Sequence, residues 1–75
     1  MASAVAEITK EVSRLLKRPA EALNQNFFDI GGNSVDAVEL IAKVNSVFTT
    51  AITPTDIVTK TLEEIADMIE ATRKT

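Results

Sequence analysis

The fold is decided by the stretch GGNSVDAVELIAKVNSVF, residues 31–48. Apolar residues recur in it at every third or fourth position, which predicts an amphipathic helix over 34–48. Either Asn33 or Ser34 can serve as its N-cap, and acidic residues in its first two turns suit the positive end of the helix dipole. The predicted apolar face consists of Val35, Val38, Ile41, Val44 and Phe48, with Leu40 and Val47 on its flank.

Three further helical segments lie on either side of this one. A capping serine at Ser3 and an apolar stripe predict a helix over 3–17. Proline at N1 predicts a short helix over 54–58, and the capping box Thr61-Leu62-Glu63-Glu64 opens a last helix. The predicted stripe of the first helix is Val5, Ile8, Val12, Leu15 and Leu16, and the last helix is predicted to bury Leu62, Ile65, Ala66 and Ile69, with Met68 near the edge. The fold class is therefore all-α, a small four-helix bundle with one short helix.

The first connection, residues 18–33, lacks sustained periodicity. A loop of this length is uncommon in a compact domain unless it is functional or carries short structure of its own. The segment 20–23 is compatible with one helical turn. Leu23, Phe27 and Phe28 are predicted to anchor the connection to the core.

Length and composition exclude several classes of function. The chain has 75 residues without histidine or cysteine, and we expect one domain over 1–75. A chain this short buries about 60% of the surface of its unfolded form, which leaves little room for an enclosed active site. Without histidine or cysteine there is no side chain that titrates near neutrality, no thiolate nucleophile and no thiolate or imidazole metal site. We therefore expect no catalytic residues, no metal site and no enzymatic activity of its own.

The charge and hydropathy pattern narrows the range of partners. Eight basic against 11 acidic residues give a net charge of −3, which argues against nucleic acid, and Lys43 is the one cation in 34–48. No apolar run reaches membrane-spanning length, and the N-terminal residues do not resemble a secretory signal. We expect a monomer in the cytoplasm, because a chain without cysteine suits a reducing compartment.

The segment 27–36 carries features beyond packing. Two glycines precede a serine that begins a helix, so the hydroxyl is open to a large partner. The backbone N–H groups and the positive pole there would favour a phosphodiester on Ser34. No base is present to activate this hydroxyl, so Ser34 is interpreted as a substrate for modification. The alternative is that Asn33 or Ser34 merely caps the helix.

The same segment resembles the phosphopantetheine attachment site of acyl and peptidyl carrier proteins. The resemblance rests on DIGGNS, residues 29–34, with the apolar residues after it, and on Phe27-Phe28, which is similar to the lead-in of nonribosomal peptide and polyketide synthase carriers. TLEEIA, residues 61–66, resembles the opening of their last helix. The matches together extend over 23–69, and the helix order agrees with the carrier bundle.

The resemblance implies a role for each of three sets of residues. Ser34 would be the covalent attachment point. The residues that would shape the attachment loop are Asp29, Gly31, Gly32 and Asn33. The residues that would contact partner enzymes are Val35, Val38, Asp36, Glu39 and, more weakly, Ile57 and Val58. Members of the last set have alternatives: the helix dipole alone explains Asp36 and Glu39, and core packing is the favoured interpretation of Ile57 and Val58.

The resemblance also implies a cofactor and partners. A phosphopantetheinyl transferase would transfer 4′-phosphopantetheine from coenzyme A to Ser34, and the terminal thiol would hold acyl, aminoacyl or peptidyl groups as thioesters. Implied partners are ketosynthase, acyltransferase, adenylation, condensation or thioesterase domains. Two residues depart from the family pattern: Asn33, where fatty-acid-type carriers usually have Asp, and Val35, where Leu or Ile is usual. The missing Asp charge at Asn33 favours a broad-specificity transferase. The sequence does not determine the cargo, the pathway, or whether the chain is a free-standing protein or a domain of a synthase. Two alternatives also stay open: a discrete carrier for fatty-acid or glycolipid assembly, and a helical interaction module.

Overall fold

The computed structural model of the protein describes residues 3–17, 19 and 23–73. In these ranges it contains four α-helices: α1 (Ala4–Leu16), α2 (Ser34–Phe48), α3 (Pro54–Thr59) and α4 (Leu62–Arg73). The β structure in the same ranges is limited to one isolated antiparallel bridge, which joins Asn26 to Thr61. The prediction of an all-α four-helix bundle is confirmed.

Helix α1 begins and ends close to where the sequence predicts. The Ser3 hydroxyl accepts a hydrogen bond from the Ala6 amide at 3.0 Å, which makes Ser3 the N-cap. At the other end Lys17 adopts a left-handed conformation with φ 58°, and its amide donates to the carbonyl of Ser13. The predicted helix over 3–17 is thus confirmed to within one residue at each end.

The buried face of α1 differs from the predicted stripe. Val5 was predicted to be buried and is 50% exposed. The rest of the predicted stripe does face the core: Ile8 and Val12 are buried, and Leu15 and Leu16 pack partly buried against it. Ala4 and Glu11 are also buried. Glu11 is only 4% exposed, and Arg14 Nε donates to its carboxylate at 2.8 Å. This ion pair raises the pKa of Arg14 and compensates the burial of the Glu11 charge.

The bounds of α2 are those predicted, but its apolar face is rotated. Val35 and Val38, predicted on the buried face, are 69% and 63% exposed. The buried row is Ala37, Leu40 and Val44, spaced i, i+3, i+7. Val44 belongs to the predicted face, and Ile41 and Phe48 of that face pack partly buried against the core, so only the two valines at its start face solvent.

Reciprocal capping boxes begin both α3 and α4. The Thr53 amide donates to Asp56 Oδ2 at 3.0 Å, and the Asp56 amide donates to Thr53 Oγ1 at 3.2 Å. At the start of α4 the Thr61 amide donates to Glu64 Oε1 at 2.8 Å, and the Glu64 amide donates back to Thr61 Oγ1 at 3.1 Å. These reciprocal bonds fix the starts of α3 and α4, and α3 extends one residue past the predicted 54–58.

The core lies where α1 packs against α2 and α4, with α3 closing the space between α2 and α4. The burial predicted for α4 is confirmed, with Met68 partly buried at the edge. Of the helices in the described part of the chain, none combines the length and apolar character of a membrane span. The buried apolar residues are Ala4, Ile8, Val12, Phe27, Ala37, Leu40, Val44, Ile52, Ile57, Leu62, Ile65, Ala66 and Ile69.

The long first connection is anchored by its aromatic residues, as predicted. Phe27 is completely buried, and Leu23 and Phe28 pack partly buried against the core. The Phe28 ring meets the Phe27 ring edge-on, with centroids 5.9 Å apart. The predicted helical turn at 20–23 lies outside the described residues except for Leu23.

The capping boxes predict a dependence of stability on pH. Hydrogen bonds from the Thr53 backbone and side chain lower the pKa of Asp56 below its ordinary value of 3.8, and those from Thr61 lower the pKa of Glu64 below 4.5. A lowered folded-state pKa means that the stabilisation is present above the unfolded-state pKa and is lost as the pH falls through the folded-state pKa. Asp56→Ala and Glu64→Ala should therefore lower the melting temperature near neutral pH.

The difference in melting temperature between each variant and the parent protein should shrink as the pH falls below about 4. The capping carboxylates of the parent are then protonated, so the parent loses the same stabilisation. Thermal unfolding followed by circular dichroism across this pH range measures it. Glu63→Ala removes an exposed acid of the same turn outside the box and should show a smaller pH-dependent deficit. Equal deficits for Asp56→Ala at neutral and strongly acid pH would contradict the prediction.

Candidate functional site

The chain reaches the start of α2 through a series of tight turns. The Asp29 amide donates to the carbonyl of Asn26 at 3.0 Å, and the Gly31 amide donates to the carbonyl of Phe28 at 3.2 Å. The Gly32 amide then donates to the carbonyl of Phe27 at 3.0 Å. These consecutive bonds wrap residues 26–32 into a compact loop whose end leads directly into the helix. We refer to residues 26–33 as the attachment loop.

The two glycines of the attachment loop are needed for different reasons. Gly31 has φ 106°, a conformation that residues with a Cβ rarely adopt. Gly32 is limited by space, because a Cβ at this position would overlap the ring of Phe27. The buried Phe27 ring thus lies directly beneath the backbone that precedes α2.

Asn33 is the N-cap of α2. Its side-chain oxygen accepts from the Asp36 amide at 2.8 Å, and its carbonyl accepts from the Ala37 amide at 2.9 Å. Ser34 is the first helical residue and is exposed. The sequence left the cap open between these two residues. The structure assigns it to Asn33, so the Ser34 hydroxyl is not required for capping.

The electrostatic setting of Ser34 suits a negatively charged group. The amides of the first turn of a 15-residue helix lie beside it, and these carry the positive end of the helix dipole. The sequence contains no histidine, and among the described residues no cluster of His, Cys, Asp and Glu could hold a metal ion. The hydroxyl belongs to an exposed residue, and the chain has no histidine that could remove its proton.

The predicted apolar partner contacts divide into exposed and buried side chains. Val35 and Val38 are exposed on α2. Val58 is 62% exposed on α3, so the favoured interpretation that it packs in the core is wrong. Ile57 is only 1% exposed, so its side chain belongs to the core, as the favoured interpretation had it. The prediction that Ile57 contacts partner enzymes is wrong.

The two acids on α2 differ in their surroundings. Asp36 is half-buried at the start of the helix, and Glu39 is exposed. Arg14 Nη2 lies 3.4 Å from Glu39 Oε2 while the same guanidinium also binds Glu11. Arg14 lies in the last turn of α1, and nothing in the local sequence pattern indicates that it reaches α2.

Sequence reasoning also missed Asn26. Its side-chain nitrogen donates to the carbonyls of Ile57, Val58 and Lys60, more than 30 positions along the chain. A polar residue directly before two anchoring aromatics is a weak signal that it has a buried partner, but the identity of that partner depends on tertiary packing.

A comparison with known families identifies this arrangement. The chain matches the family described as "Phosphopantetheine attachment site" over residues 6–69. The chain belongs to this family. Attachment-site domains carry covalently bound 4′-phosphopantetheine and are generally non-catalytic, which agrees with the cofactor that the sequence predicts.

Two curated relatives have the same name, N-(5-amino-5-carboxypentanoyl)-L-cysteinyl-D-valine synthase, from Penicillium rubens and Penicillium chrysogenum. Each is 38% identical over 48 residues, which is 63% of this chain. The chain spans about 1% of the length of these synthases. No solved structure matches the chain.

The residues present fit the family's prosthetic group. An exposed serine hydroxyl that is not used as the cap, at the positive end of a helix, can hold a phosphodiester. Ser34 would hold the group covalently, and the backbone shaped by Gly31, Gly32 and Asn33 would keep the hydroxyl at the surface.

The packing of Phe27 against Gly32 predicts an energetic coupling between them. Gly32→Ala should lower the free energy of unfolding by about 1–3 kcal/mol, because the new methyl group collides with the ring. Phe27→Leu opens space there, so the added cost of Gly32→Ala should fall by about 1 kcal/mol in the double variant. Urea denaturation of the four proteins measures this coupling.

Gly31→Ala is the matched control. Its cost comes from the positive φ and not from the ring, so Phe27→Leu should leave that cost unchanged. A cost of Gly32→Ala that is the same in both backgrounds would show that the ring is not the obstacle.

The assignment of the cap to Asn33 predicts different effects on stability for substitutions at two neighbouring residues. Asn33→Ala should lower the free energy of unfolding by about 1 kcal/mol, because the Asp36 amide loses its acceptor. Ser34→Ala should change it by less than about 0.5 kcal/mol, because no cap bond is lost. Chemical denaturation of both variants measures the difference, and a larger loss for Ser34→Ala than for Asn33→Ala would contradict the assignment.

Proposed function

We propose that the protein is a carrier that receives 4′-phosphopantetheine on Ser34 and holds acyl, aminoacyl or peptidyl groups as thioesters for partner enzymes. The observation that supports this most directly is the exposed Ser34 at the first position of α2, in a chain of the attachment-site family. The division of roles at this junction is consistent with it: Asn33 caps the helix, and the next residue is left available for modification.

The thiol that the bound group supplies is one the chain itself lacks, because the sequence has no cysteine. The protein's part is to present the Ser34 oxygen, which would form the new bond to the pantetheine-bearing phosphorus of coenzyme A. The pyrophosphate phosphorus–oxygen bond of coenzyme A would break in the same step, and adenosine 3′,5′-bisphosphate would leave. The proton of the hydroxyl would leave to a base of the transferase, because the chain itself has no histidine. The positive end of α2 then stabilises the negative charge of the phosphodiester.

The partner surface is proposed to lie on α2 and α3. Among the described residues the three most exposed large apolar side chains are Val35, Val38 and Val58. Val35 follows Ser34 directly, and α3 packs against α2. Exposed apolar side chains near a functional residue are typical of interaction sites. Asp36 and Glu39 add negative charge on α2 and favour a basic partner surface.

A peptide-assembling synthase is the setting we favour. The printed names of the two Penicillium relatives describe the synthesis of a compound that contains L-cysteinyl and D-valine units. This supports adenylation and condensation domains as partners over the ketosynthase and acyltransferase of a polyketide pathway. A phosphopantetheinyl transferase is required in either case. We further propose a non-catalytic cytoplasmic monomer, on the grounds of its cysteine-free composition and small size.

The proposal predicts a specific covalent modification. Incubation of the protein with coenzyme A and a broad-specificity phosphopantetheinyl transferase should add the mass of one phosphopantetheine. Intact-protein mass spectrometry measures the addition, and fragmentation should place it on Ser34. Ser34→Ala should abolish it while leaving the circular dichroism spectrum unchanged.

Ser46→Ala is the matched control, because Ser46 is another exposed serine of α2 that lies three turns further along the helix. This variant should be modified like the parent protein. The proposal fails if the parent protein remains unmodified under conditions that fully convert a known carrier, or if Ser34→Ala still gains the mass.

A further inference from the structure

Asn26 lies between the attachment loop and the end of α3. Its Nδ2 is 2.6 Å from the carbonyl oxygen of Ile57, 3.1 Å from that of Val58 and 2.8 Å from that of Lys60. The last carbonyls of a helix have no partners within the helix, and α3 has only six residues. The side chain of Asn26 therefore donates to carbonyls in the last turn of α3 and to the carbonyl of its C-cap residue, Lys60.

The same side chain also organises the attachment loop. Asn26 Oδ1 accepts from the Phe28 amide at 2.9 Å, and the carbonyl of Asn26 accepts from the Asp29 amide at 3.0 Å. This turn is the first of the series that leads to Ser34. The two ends of one carboxamide thus contact two elements: the nitrogen contacts α3, and the oxygen contacts the loop.

The neighbouring backbone fastens this stretch to α4 in a different way. The Leu62 amide donates to the carbonyl of Gln25 at 3.1 Å, and the Glu63 amide donates to the carbonyl of Leu23 at 2.8 Å. These bonds involve main-chain atoms on both sides and do not depend on side-chain identity. The link to α3, in contrast, depends on the side-chain amide of Asn26.

We infer that Asn26 is a positioning residue that holds α3 and the attachment loop in one fixed arrangement, and that a phosphopantetheinyl transferase requires this arrangement to engage Ser34. The inference rests on the proposed function. It follows from the contacts because α3 carries the exposed Val58, whereas the loop delivers Ser34 to the surface. If α3 moves relative to the loop, the proposed partner surface and the modified residue no longer have a defined spacing.

Two substitutions separate the two ends of the side chain. Asn26→Ser retains an oxygen that can accept from the Phe28 amide but is too short to reach the α3 carbonyls. Asn26→Asp keeps the size and the acceptor, but it replaces the donor with an oxygen that faces three carbonyl oxygens. We expect the α3 contact to weaken in the serine variant and to be repelled in the aspartate variant.

Hydrogen exchange reports on the contact itself. The exchange rate of the α3 amides relative to the α1 amides should rise about tenfold in Asn26→Ser, and further in Asn26→Asp. Val12→Ala, a truncation in the core face of α1, is the control for general loss of stability. It should not raise this ratio. If Asn26→Asp does not fold, Asn26→Ser still carries the test.

Transferase kinetics report on the function. The KM for the carrier should rise roughly fivefold in Asn26→Ser while kcat stays within about twofold, because a smaller fraction of molecules has the competent arrangement. Val12→Ala should leave KM close to that of the parent protein at a temperature where both are folded.

The outcomes distinguish this inference from the proposed function. A parent protein that is not modified at all refutes the proposed function, and with it the kinetic part of the inference, whatever the exchange data give. A modified parent together with Asn26 variants of unchanged KM, or of unchanged α3 exchange, overturns the positioning role alone. A KM that rises equally in Val12→Ala would also overturn it, because general destabilisation would then be sufficient.

Discussion

The buried ring of Phe27 beneath Gly32 is the contact on which the attachment loop depends. Phe27 is the largest fully buried side chain among the described residues, and it comes from a connection and not from a helix. Because the ring occupies the space beneath Gly32, the backbone before α2 has one place to lie. The start of α2, and with it the position of Ser34, follows from this packing.

Around this contact, capping and the proposed modification fall on adjacent residues. Asn33 supplies the side-chain oxygen that caps α2, so the hydroxyl of Ser34 is not needed to cap the helix. A protein whose modified serine was also its cap would lose a helix-stabilising bond on modification. Here the modification can occur without a change in the bonds that begin the helix.

Local patterns in the sequence predicted the helices and most of their caps, because a cap involves residues three positions apart. Ser3, Thr53 and Thr61 all behave as their sequence neighbours predict. The attachment segment was also recognisable, because glycine requirements and the residues around Ser34 are close together in the chain.

The orientation of the helices could not be predicted in the same way. Valine is apolar wherever it lies, so periodicity alone did not show that Val5, Val35 and Val38 face solvent. Which side of α1 and α2 packs depends on the neighbouring helices. The reach of Asn26 to α3 depends equally on tertiary structure, since its acceptors are main-chain carbonyls, whose positions no side-chain pattern encodes.

The exposed valines have a consequence for how tightly a partner could hold this protein. A valine on a helix is confined almost entirely to one χ1 rotamer, so Val35, Val38 and Val58 lose little side-chain entropy when they are covered. Three small side chains also offer only a modest apolar area. Such a surface is ordered before contact and can be released quickly, which suits the proposed role of a carrier that docks with several enzymes in turn and leaves each one.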